Sequence, residues 1–151
     1  MLAQRIVADL EHPGDLTVAR IERMLSLNPN DNHGFRSHLM SAYLRRGQFE
    51  QASQLATRFE DDTELGFSQV LALWGLGRAG DALLSLQRAH GHLPLLLPML
   101  LAKNPRKPKI NPGFVRYGGA DQAWLFRESQ LPVWEAVPGA LDWLRQAQRA
   151  L

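Results

Sequence analysis

The 151-residue sequence contains no cysteine. That excludes disulfides, thiolate nucleophiles and every zinc or iron–sulfur site that depends on a cysteine ligand. Charge of one sign is lacking too: 17 Lys and Arg stand against 15 Asp and Glu, a net charge of +2. The overall balance therefore points to no class of partner. Long apolar runs are missing as well. The most apolar stretch, residues 93–102, holds two prolines and is about half the roughly 20 residues a membrane-spanning helix needs. Near the N-terminus Arg5, Asp9 and Glu11 interrupt any apolar core of a secretory signal. These absences imply no membrane segment and a cytoplasmic location. The chain is nonetheless 45% hydrophobic, too apolar for a disordered chain and of a length that suits one domain.

Helical periodicity runs through the first two thirds. Leu2, Ile6 and Leu10 recur at helical spacing up to the break at His12-Pro13-Gly14. Asp15 reads as the N-cap of a second helix with Val18, Ile21 and Leu25 on its apolar stripe, ended by Asn28-Pro29. A third helix to about Arg46 turns Phe35, Leu39, Met40 and Tyr43 inward, and Gly47 permits the left-handed turn that closes it. Phe49 to Phe59 forms the fourth, with Ala52, Leu55 and Ala56 on its packed face. Glu60-Asp61-Asp62-Thr63 caps a fifth helix from Leu65 to Leu76, Gly77 repeats the role of Gly47, and a sixth helix runs from about Ala82 to His90.

The pattern has a period: Gly77 follows Gly47 by 30 residues, and Ala82 follows Ala52 by the same 30. Paired helices at such a period indicate a stacked array. In order, Leu39, Tyr43, Gly47, Phe49 and Ala52, and then Gly77, Ala82, Ala89 and Pro94, resemble tetratricopeptide repeats, with Gln69 and Val70 where that family prefers Leu and a small residue. The resemblance implies an all-α fold of antiparallel helix pairs stacked as a superhelical array. It would cover residues 1–103 in units of about 1–29, 32–62 and 63–94, plus a short helix. Residues 104–120 then read as a proline-rich basic loop. Residues 121–151, with Trp124, Trp134 and Trp143, read as a helical cap packed on the array, with Asp121 as its N-cap and Pro132 breaking or kinking it.

Motifs for chemistry are weak. Gly75-Leu76-Gly77-Arg78-Ala79-Gly80 spells G-x-G-x-x-G, but no Asp or Glu occurs from Ala82 to Ala120 to hold a ribose. It reads as a turn between two helices. The five histidines, among them His33, His38, His90 and His92, lack the spacing of a metal site. No serine lies in a G-x-S-x-G elbow. The expectation is a protein that is not an enzyme, with no catalytic residues, no metal and no cofactor.

Two surfaces carry the functional expectation. In tetratricopeptide arrays the first helix of each unit lines a concave groove, which implies a partner groove of Ser37, Ser41, Leu44 and Arg45 from one unit and Phe67, Leu71 and Trp74 from the next. The Lys and Asn by which some family members clamp a peptide carboxylate are absent there. The second surface is the acid-free segment 82–120, whose Arg88, Lys103, Arg106, Lys107, Lys109 and Arg116 give a local charge of +6 and leave −4 on the rest. The leading expectation is a non-catalytic protein-interaction scaffold binding a protein or peptide segment in the groove. The alternative is an electrostatic binder of nucleic acid or an acidic partner through the basic segment.

Overall fold

A computed structural model describes residues 15–31 and 34–151. The helix expected at Leu2, Ile6 and Leu10 lies outside the described residues, as do His33 and the side chain of Asp15. The described residues form eight helices and no strand: α1 (Asp15–Leu27), α2 (Arg36–Arg45), α3 (Phe49–Arg58), α4 (Thr63–Gly75), α5 (Ala79–His92), α6 (Leu96–Leu101), α7 (Ala120–Glu135) and α8 (Ala140–Arg149). Consecutive helices make the most extensive packing, α4 with α5 above all, followed by α3 with α4 and α6 with α7.

The turns that bring these helices together depend on glycine. Gly47 (φ 71°) and Gly77 (φ 77°) both adopt the left-handed conformation, in which a side chain would press on the following carbonyl. At the first turn Gly47 N donates to Leu44 O and Gln48 N to Tyr43 O; at the second Gly77 N donates to Trp74 O and Arg78 N to Leu73 O. This pair of bonds is the Schellman closure, which satisfies carbonyls that a helix end otherwise leaves bare. Gly75 has a different task. A Cβ there would lie 2.6 Å from the Phe49 ring, so its absence lets the start of α3 press against the end of α4.

Asp62 caps α4, accepting a hydrogen bond from Leu65 N at 3.1 Å. Elsewhere the helix ends differ from expectation. α5 begins at Ala79 rather than near Ala82, with Arg78 and Asp81 joined at 2.9 Å across its first turn. α7 is a single helix that runs on through Pro132. The proline has no N–H to give the Glu128 carbonyl four residues back, and the buried Val133 and Trp134 fasten the last turn to the core despite that loss. Asp121 is not the N-cap of α7, a position held by Gly119. Its carboxylate instead accepts from Arg116 N and Gln122 N, which folds the 116–119 turn back onto the helix and holds the Asp121 carboxyl below its ordinary range.

One core runs through all eight helices, from Val18, Ile21 and Leu25 of α1 to Ala140, Leu144 and Ala147 of α8. Residues 102–119 cross between α6 and α7 with one isolated bridge, Asn111 to Phe114. Arg127 of α7 anchors the start of that crossing by donating to the carbonyls of Met99, Leu100 and Ala102 at 2.7–3.0 Å. These are the carbonyls that α6 leaves open at its C-terminus.

Candidate functional site

The face made by α2 and α4, where the partner groove was expected, is covered by α7. Phe67 of α4 is fully buried and meets Phe126 edge-on, ring centroids 5.2 Å apart, and Trp134 at 6.1 Å. Leu44 and Leu71 are also in the core, at 1% and 0% exposure. The expectation that Leu44, Phe67 and Leu71 offer a surface to a partner is therefore corrected. Trp74, half-buried, packs on Trp143 of α8 with centroids 6.4 Å apart. Ser41 accepts a hydrogen bond from the Gln130 amide of α7 at 3.2 Å. Ser37 and Arg45 remain exposed at the margin. Aromatic contact area of this kind dominates the energetics of a packed face.

A polar rim surrounds that aromatic centre. Gln122 of α7 donates to the Glu64 carboxylate of α4 at 3.2 Å. Burial pushes the Glu64 carboxyl above its ordinary value, the Asp62 charge adds to the rise, and the Gln122 bond opposes it. A small cavity of about 50 Å³ between α2, α4 and α7 is lined by Ser37, Glu64, Ser68, Ser129 and Gln130, among others. Sequence periodicity missed this arrangement because α7 buries Asp121, Gln122 and Gln130 alongside Phe126 and Trp134, a mixture without a clean apolar stripe.

The structure divides the basic segment. Arg88 lies on α5 and lines a cleft of about 420 Å³ between α3 and α5, together with Glu60, Asp61, Gln69, Ser85 and His92. Lys103, Arg106, Lys107 and Lys109 lie exposed on the crossing 102–119 and have no ion-pair partner among the described residues. Arg116 ends that run beside Asp121. Further along the same crossing Phe114, Val115 and Tyr117 are 61%, 45% and 69% exposed. The Tyr117 hydroxyl shares a hydrogen bond of 2.8 Å with that of Thr63, which stands at the rim of the α3–α5 cleft.

Among the described residues no group of three His, Asp or Glu side chains converges as a metal site, and no helix is long and apolar enough to cross a membrane. No family model, curated protein or solved structure matches the chain.

Proposed function

We propose that the protein is a non-catalytic interaction module of the cytoplasm: a tetratricopeptide-like stack whose groove is filled by its own C-terminal helices and which engages an acidic protein partner through the crossing segment 103–117. The stacking part of this reading is supported by the Gly47 and Gly77 turns, which match bond for bond at a spacing of 30 residues. The observation that carries the interaction is the exposure of Phe114, Val115 and Tyr117 on the same crossing as Lys103, Arg106, Lys107 and Lys109. Exposed aromatics in one patch mark interaction surfaces, and aromatic and Arg side chains supply most of the anchoring energy in them. Unpaired cations on the same segment steer a partner of opposite charge and suppress wrong ones.

The test is fluorescence anisotropy of the full chain with a glutamate-rich peptide and with a single-stranded oligonucleotide of equal charge, as a function of salt. The peptide binds, K103A/R106A/K107A/K109A flattens the salt dependence, and F114S/Y117S weakens binding while leaving the slope in place. An oligonucleotide that binds more tightly than the peptide replaces the acidic-protein reading with a nucleic-acid one. Absence of binding to either at low salt removes both.

A further inference from the structure

The 30-residue register provides a direct comparison between two units. Leu39 corresponds to Gln69, Leu55 to Ser85 and Arg58 to Arg88. In the first unit Leu39 and Leu55 are buried at 2% and 6%, and they wall a cleft of about 330 Å³ with Leu25 of α1. Its arginine is committed to the fold: Arg58 donates to Leu25 O at 3.0 Å and lies over the Phe59 ring at 5.1 Å. The second unit places half-buried Gln69 and Ser85 at the matching positions. Here the cleft between α3 and α5 reaches about 420 Å³, within the range of ligand-binding clefts. A polar residue at a position that the same array elsewhere uses for apolar packing gives up that packing. Such departures concentrate where function requires them.

The charges of this cleft are equally unlike those of a structural site. Asp62 is used twice, as the α4 cap and as the partner of Arg36 at 3.0 Å. Among the described residues the side chains of Glu60 and Asp61 beside it have no hydrogen-bond or ion-pair partner, and neither have those of Ser85 and Arg88. Opposite charges thus line one cleft without reaching each other, separated by open volume. The amide of Gln69 makes bonds of 3.3 Å to Ser53 O and Oγ and of 3.4 Å to Thr57 Oγ1, at the long end of the hydrogen-bond range, and the Thr57 hydroxyl donates to Ser53 O at 3.1 Å.

We propose that the α3–α5 cleft binds a short extended peptide segment carrying one basic and one acidic side chain. Arg88 takes the carboxylate, Glu60 and Asp61 take the cation, and Gln69, Ser85 and Thr57 bond the intervening backbone. Charges of opposite sign, Arg88 against Glu60 and Asp61, set the direction in which the segment lies and reject peptides of uniform charge. The site stands independently of the 103–117 surface, although Tyr117 reaches its rim.

The experiment is a titration of the ¹⁵N-labelled full chain with the end-capped tripeptide Lys-Ala-Glu, followed by NMR. The Gln69 side-chain amide and the Arg88 signals shift, and R88A and E60Q/D61N each weaken binding about fivefold or more. All three substituted side chains are exposed, and unchanged spectra elsewhere verify the fold. Capped Lys-Ala-Lys and Glu-Ala-Glu bind more weakly by a similar factor, and K103A/R106A/K107A/K109A leaves Lys-Ala-Glu affinity unchanged. Equal affinity for the three peptides, indifference to R88A, or no localised shift at about 10 mM peptide overturns the proposal.

Discussion

Gly47 and Gly77 stand 30 residues apart in the same left-handed conformation, φ 71° and 77°, each closing its helix with the same pair of backbone bonds. The identity extends into the next helix. Five residues after each glycine comes an alanine, Ala52 or Ala82, that is completely buried. The turn sets the direction of return, and the small side chain lets the returning helix come close. Each unit thus repeats a backbone solution and a packing solution together.

Neither glycine has a neighbour within 4 Å of a built Cβ, so the cost of a side chain there is conformational rather than steric. Gly47→Ala and Gly77→Ala each destabilise by about 1–2 kcal/mol, the cost of a left-handed L-residue. Gly80→Ala is the control: it lies in the first turn of α5 with open space around it and no positive φ. That change stabilises by up to about 0.5–1 kcal/mol. Urea midpoints of the three variants check the prediction. Equal midpoints for all three would show that the turns do not depend on glycine.

Ala52→Leu and Ala82→Leu insert a branched side chain into closed contacts, since both alanines are 0% exposed. Each substitution costs about 1–3 kcal/mol through overpacking. The two sites lie on different helices, α3 and α5, so the double variant loses close to the sum. Denaturant unfolding of the two single variants and the double measures this directly.

The described helices between Asp15 and His92 were legible because their apolar residues keep a helical period and their ends carry strong turn residues. Asp62 and the two turn glycines are local signals, and the structure uses them locally. The coverage of the groove was not legible. Nothing in the spacing of Phe126, Gln130 and Trp134 tells that they meet Phe67 and Ser41, which lie 59 or more residues earlier. Pro132 does not end the helix, because the buried Val133 and Trp134 hold the last turn against the backbone bond that proline removes. The α3–α5 cleft joins Glu60 to Arg88 across 28 residues, and charge counting placed Arg88 in a basic segment instead. Its one sequence signal was the departure of Gln69 from the repeat pattern.

Glu64 makes the junction of α4 and α7 sensitive to pH. Burial raises its folded-state pKa above the ordinary 4.5, so the folded protein binds its proton more tightly than the unfolded chain does. This contribution to stability is fully present below the unfolded value and is lost as pH rises through the folded one. Glu64→Gln keeps an acceptor for the Gln122 amide but cannot ionise. The variant therefore matches the parent at low pH and exceeds it in stability above the raised value. Urea midpoints taken across this window show the difference between the two chains opening with pH. A constant difference would mean that Glu64 does not titrate with folding.

The last prediction concerns α7 and α8 as part of the core. Trp134 is 0% exposed and Phe126 2%, and both rings pack on Phe67, itself fully buried. Phe126→Ala and Trp134→Ala each remove a large buried ring and cost about 3–5 kcal/mol, a large share of the roughly 5–15 kcal/mol that holds a domain folded. Removing everything after Gly119 goes further. It uncovers Phe67 and Trp74, and it strips the carbonyls of Met99, Leu100 and Ala102 of their Arg127 donor. The 1–119 fragment is therefore less stable and self-associates through its newly exposed apolar face. Melting curves with light scattering on the fragment and the full chain decide the matter. A monomeric fragment with an unchanged Tm would show that the α2–α4 face does not need its cover, and would return Phe67 and Leu71 to the surface available to a partner.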